Sequence, residues 1–174
     1  MIVLVTGGRR YSDRHKVFST LNDLSRQRRI IGLIHGCATG ADALAKEWMT
    51  IRIKREYAEC AERRRTTPQA KRRDDIQYHP VLWMVGCIAQ WDDITTPPVA
   101  LRTRADGSQY NAAAGAVRNS QMLKWHPNIC VVFPGGSGTE NMRGQAFASG
   151  IEIVDPINNP QSIKIAHPVQ GGMG

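Results

Sequence analysis

No window of the sequence reaches the roughly 18 apolar residues that a membrane-spanning helix needs, so no membrane partner is expected. The N-terminal apolar run, Ile2 to Val5, is too short for the core of a secretory signal. A cytoplasmic location is therefore the expectation. The four cysteines, Cys37, Cys60, Cys87 and Cys130, form no C-x-x-C pair, which argues against a zinc or disulfide framework. No acid–histidine cluster has ligand spacing, so neither a metal nor another cofactor is expected. Low-complexity segments are absent, and 174 residues suffice for one domain with its own core.

Positive charge is plentiful, at a formal net of +8. Such a balance suits a polyanion or an anionic small ligand, and the placement of the charge separates the two. Much of it lies between Arg52 and Arg73, interleaved with Glu56, Glu59 and Glu62. Tyr57 is the only aromatic there, whereas single-strand binders combine a basic groove with several stacking rings. The stretch reads first as a solvated helix and loop, and weak nucleic-acid contact through it is the rival expectation.

Short apolar runs punctuated by glycine organise the rest. Met1 to Thr6 ends in Gly7-Gly8, and Ile30 to His35 ends in Gly36 and Gly40. Val81 to Ile88, Ile129 to Phe133 and Ile151 to Val154 supply three more runs. Each reads as a buried strand. Between them lie helical stripes such as Val17, Phe18, Leu21 and Leu24, capped by Ser12 or Asp13. A further helix, capped by Asn111, is expected from Ala112 to Trp125, and Gly150 is placed to close the helix before the last strand. This alternation predicts an α/β, Rossmann-like, doubly wound sheet of about five mainly parallel strands with helices on both faces.

Such sheets bind ligands beyond the carboxyl ends of their strands. The clearest candidate there is Pro134-Gly135-Gly136-Ser137-Gly138-Thr139, a glycine turn leading from a strand into a helix. Unpaired N–H groups and the positive end of the helix dipole make it an anion site, and phosphate is the usual occupant.

Four blocks, taken together, carry a resemblance. They are Val5-Thr6-Gly7-Gly8-Arg9, His35-Gly36 through Gly40-Ala41-Asp42-Ala43-Leu44, Ala114 through Asn119, and Phe133 through Thr139. In this order they resemble the SLOG superfamily, in particular its YspA-type, YpsA-related branch, common in bacteria and phages. The resemblance implies one nucleotide-binding domain over residues 1–154, with a basic insertion at 52–79, a loop insertion at 95–110 and an irregular tail at 155–174. It implies a Rossmann-like fold and a nucleotide or nucleotide-derived ligand, sensed or sequestered. Some relatives sense NAD-derived signals in antiviral defence. Relatives often pair through helices, so a homo-oligomer is among the expectations. Lonely Guy phosphoribohydrolases and DNA-processing protein A are more distant relatives. The hydrolase pattern P-G-G-x-G-T-x-x-E is matched up to its glutamate, where this chain has Met142 and carries Glu140 two residues earlier.

The expected ligand-binding residues are Gly7, Gly8, Arg9, Gly36, Gly40, Arg118, Asn119, Gly135, Gly136, Ser137, Gly138 and Thr139. Arginine forks match phosphate oxygens, which selects Arg9 and Arg118. If the chain is an enzyme, N-glycosidic hydrolysis is the expected reaction, with Glu140 or Asp42 as the carboxylate. Both acids have a plainer reading as capping-box partners, of Ser137 and Thr39 respectively. Trp91 can stack on a base, although a tryptophan beside a strand is more often core.

Overall fold

The computed structural model describes residues 1–66 and 82–163. The sequence-predicted start of the third strand at Val81, the basic residues Lys71, Arg72 and Arg73, and the tail from residue 164 lie outside these residues.

Five strands form one parallel sheet. They are β1 (Ile2–Thr6), β2 (Gly32–His35), β3 (Trp83–Gly86), β6 (Ile129–Val132) and β7 (Glu152–Val154), in the order β3-β2-β1-β6-β7. Alternation along each strand sends side chains to two cores. Val3, Val5, Leu33, Val131 and Phe133 face one core with Val17, Leu21 and Leu24 of α1 (Arg14–Gln27) and Trp48 and Met49 of α2 (Ala41–Thr66). Leu4, Ile34, Cys130 and Val132 face the other, with Met122 of α3 (Ala114–Leu123) and Met142 and Ala146 of α4 (Ser137–Ala148). The sheet is therefore doubly wound, as the alternation predicts.

Local chemistry sets several boundaries. Asp13 caps α1 by accepting the Lys16 N–H at 2.8 Å. Gly150, at φ +71°, follows the end of α4, where a left-handed residue is suited to close a helix. Helix α2 runs on for 26 residues, about 39 Å, well past the sheet. Its outer part carries Arg52–Glu56, Arg55–Glu59 and Glu62–Arg65 pairs, so the described half of the basic stretch is an ion-paired helix surface. The stretch at 95–110 holds more structure than its sequence suggests. β4 (Leu101–Thr103) and β5 (Gln109–Asn111) form an antiparallel hairpin around the Asp106–Gly107 turn. A short 3-10 turn, Pro160–Ile163, lies within the tail, and its Ile163 carbonyl accepts from Gln27 of α1.

The chain leaves β1 toward β2 and β3 on one side and returns to β6 and β7 on the other. The strand order thus reverses between β1 and β6, and a crevice opens beyond their carboxyl ends. The turns after β1, β2 and β6 meet there. Gly40 sits at φ +76°, and a Cβ on it would overlap the Gly8 carbonyl oxygen. Gly40→Ala is expected to cost about 2 kcal/mol or more, through left-handed strain and collision with backbone. Urea unfolding of the variant against wild type measures it.

Candidate functional site

The crevice is an open cleft of about 560 Å³, within the range of small-ligand pockets. Its lining includes Thr6, Gly7, Gly8 and Arg9 after β1, Ala38 and Asp42 after β2, and Gly136, Ser137, Gly138, Thr139 and Asn141 at the start of α4. Trp91, Ala112, Gly115, Ala116 and Arg118 close the remaining wall. Of the sequence-predicted residues, Gly7, Gly8, Arg9, Asp42, Arg118 and Gly136 to Thr139 thus meet in one place.

The glycines divide into two sets. A Cβ at Gly7 would come within 2.6 Å of the Ala41 Cβ, and one at Gly8 within 2.9 Å of the Pro134 carbonyl oxygen. At Gly36 it would meet the Arg118 guanidinium at 2.7 Å, and at Gly135 it would overlap Thr139. These glycines, with Gly40, let the turns close on each other. Gly36, Gly40 and Gly135 stand behind the cleft surface rather than on it. Gly136 and Gly138 differ. Both line the cleft, neither has positive φ, and a Cβ on either would meet nothing within 4 Å. The fold does not require glycine at these two positions, and glycine within a helix is disfavoured by about 1 kcal/mol relative to alanine.

Arg118 and Asn119 join two of the turns. The Arg118 guanidinium donates to the Gly36 carbonyl at 3.0 Å and to Asn119 Oδ1 at 3.1 and 3.4 Å. These bonds use three of its five N–H groups. Asn119 is buried, and its amide donates to the Gly138 carbonyl at 3.1 Å and to Asn141 Oδ1 at 2.9 Å. Both ends of the Asn119 amide are therefore engaged by protein. Asn119 positions Arg118 and the α4 turn and does not line the cleft.

The two carboxylates part company. Asp42 is buried and lines the cleft. Its Oδ2 accepts the N–H groups of Gly36 at 3.0 Å and Ala38 at 3.2 Å. No Thr39–Asp42 capping box forms, because the Thr39 hydroxyl donates to the Arg9 carbonyl instead. Burial pushes the Asp42 carboxyl up to about 6, against the opposing pull of the Ala38 N–H, Arg118, the Gly36 N–H and Arg9. Glu140 lies outside the cleft lining, exposed, with its carboxylate 3.5 Å from Arg143. No Ser137–Glu140 capping box forms either. Ser137 is already inside the helix, and Gly136 is the N-cap, with its carbonyl accepting the Thr139 and Glu140 N–H groups. Met142, at the hydrolase glutamate's position in the pattern, is fully buried in the core.

Sequence reasoning favoured a core position for Trp91 and overlooked Asn141. Trp91 belongs to neither core cluster and lines the cleft. The polar Asn141, one turn into α4 beside the glycine turn, was the available signal for its position. His35 is buried, and its Nδ1 accepts the Cys37 N–H at 3.1 Å; burial lowers its pKa, which favours the neutral ring. Among the described residues no cluster of three or more metal-ligating side chains forms, and no helix is long and apolar enough to cross a membrane.

The Asp42 shift has a measurable sign. Between pH 3.8 and about 6 the folded state keeps a proton that the unfolded chain has released. Asp42 therefore lowers stability as pH rises through that window, by about 3 kcal/mol in all. Asp42→Asn is expected to remove this decline. Denaturant unfolding of wild type and variant at a series of pH values between 4 and 7 reads the difference.

Comparison with known proteins adds a partial resemblance. Gene 61 protein of Mycobacterium phage D29 is 26% identical over 156 residues, spanning 88% of this chain and 94% of that protein. No solved structure matches. Residues 1–53 match the model of the YspA, cpYpsA-related SLOG family. That segment holds β1, α1, β2 and the first half of α2, together with the first two glycine turns and Asp42. Over that segment the chain is similar to the YspA, cpYpsA-related SLOG family.

Proposed function

We propose that this protein binds a nucleotide or nucleotide-derived ligand in the cleft between the β1 and β6 turns, as a sensor or sequestering protein. The similarity of residues 1–53 to the SLOG family model suggests nucleotide-related ligand binding or processing. The observation that carries the reading is the pair Gly136 and Gly138. Both glycines leave open space at the start of α4, where the first turn of a helix offers N–H groups and a positive dipole end. Arg9 and Arg118 add two guanidinium groups to the same cleft. A phosphate on the Gly136–Thr139 turn, with Arg118 at its side, satisfies both features.

A second reading has its own observation. Asp42 is a buried carboxyl on the cleft wall whose pKa is raised to about 6. A carboxyl poised near neutrality suits acid–base or oxocarbenium-stabilising work, so hydrolysis of a nucleotide N-glycosidic bond is the enzymatic alternative. Asp42, rather than the outward Glu140, is its carboxylate.

Thermal shift with nucleoside monophosphates, NAD, ADP-ribose and cyclic nucleotides, combined with chromatography of each mixture, separates the two readings. Intact ligand with raised melting temperature supports binding, because a ligand at 100 times its Kd adds about 2.7 kcal/mol of stability. Released base that vanishes in Asp42→Asn supports hydrolysis. Gly138→Ala is expected to be as stable as wild type or slightly more so, and to lose at least ten-fold in affinity for any ligand found. Unchanged affinity in that variant contradicts the proposed phosphate position.

A further inference from the structure

Trp91 is a large ring in an unusual place. Trp48 belongs to the first core and Trp83 packs against the second, whereas Trp91 is in neither. It lies on the wall of a polar cleft, half-buried, with the Arg9 guanidinium 5.8 Å over its ring centroid. The Tyr110 ring stands 6.5 Å away at a tilt of 57°, and the edge of the indole lies against Gly115, where a Cβ would come within 3.1 Å.

The backbone that carries the ring is also held in place. The Trp91 carbonyl accepts the Asn111 N–H at 2.8 Å. Asn111 is buried, and its side chain accepts from the N–H groups of Ala100 and Ala113 and donates to the Pro98 carbonyl. One asparagine thus fastens the segment carrying Trp91 to the hairpin and to the approach to α3. Burial in a core does not account for an indole on a segment fastened in this way.

We infer that Trp91 is the base-stacking wall of the cleft, and that the ligand's aromatic base lies between the indole and the Arg9 guanidinium. The inference rests on the proposed nucleotide reading and narrows it to ligands that carry a base, against bare sugar phosphates. A base sandwiched between two planar groups needs about 7 Å between them, so Arg9 has to move outward by about 1 Å. Arg9 is exposed, and its long side chain has that freedom. Stacking of this kind tolerates every base, since each has a π face, and the arginine adds a cation–π contact. Asn111 is then a positioning residue for the stack.

AMP and ribose 5-phosphate test it, because they share the phosphate and sugar and differ in the base. Calorimetric titration of the full chain is expected to show AMP binding roughly ten- to a hundred-fold more tightly than ribose 5-phosphate. Trp91→Ala is expected to bring AMP down to the ribose 5-phosphate level, and Trp91→Phe to restore most of the loss. Trp91→Ala weakening both probes equally overturns the inference and makes the ring structural. So does AMP binding unchanged in that variant. If Trp91→Ala fails to fold, wild-type tryptophan emission decides: a change with AMP and none with ribose 5-phosphate supports stacking, and equal responses oppose it. Failure of AMP and of every nucleotide in the thermal-shift panel to bind the wild type would instead overturn the nucleotide reading, and the stacking inference with it.

Discussion

The peptide of Gly8 is where the architecture of the cleft is decided. Its N–H donates to the Pro134 carbonyl at 2.8 Å, which ties the β1 turn to the β6 turn. Its carbonyl accepts the Tyr11 N–H at 3.0 Å and the Ala41 N–H at 3.4 Å, which closes the turn on the loop before α1 and ties it to the start of α2. Three loops from three strands can share one peptide only if side chains are absent between them. Gly7, Gly8, Gly40 and Gly135 meet that condition. The cleft beside them follows from the closure, because the strand order reverses at this point in the sheet.

A second tie, through side chains, sets the charge of the site. Asn119 bridges Arg118 to the α4 turn, and Arg118 reaches the Gly36 carbonyl. The guanidinium is thereby fixed near the cleft with donors left over. Asp42 stands opposite as a buried carboxyl, braced by the Gly36 and Ala38 N–H groups and pushed up in pKa by its burial. A dipole end, two arginines and one poised carboxyl in one cleft are the features on which the proposed nucleotide reading rests.

The sheet was legible because burial acts through local pattern. Val3-Leu4-Val5 and Cys130-Val131-Val132 alternate between the two cores, and glycines stand where the strands end. The Asp13 cap was equally readable, since it depends on residues within one turn. The capping boxes were not. Thr39 and Asp42 have the right spacing, but Thr39 bonds to Arg9, 30 residues away, and Asp42 turns to the loop in front of it. Glycine roles were only half readable. Sequence marks the glycines alike, while the structure separates those that admit neighbouring backbone from Gly136 and Gly138, which admit nothing of the fold. The position of Trp91 depends on Asn111, 20 residues further along, so no local spacing could reveal it.

The central claim is that the start of α4 holds an anion because the three turns leave it open. Backbone amide NMR during a titration with a nucleoside monophosphate tests that most directly, since it reads each N–H separately. The account predicts that the largest shifts fall on Ser137, Gly138 and Thr139, with smaller ones at Gly8 and Arg9. Shifts concentrated on the outer part of α2, between Arg52 and Arg65, with the α4 turn unmoved, would contradict it.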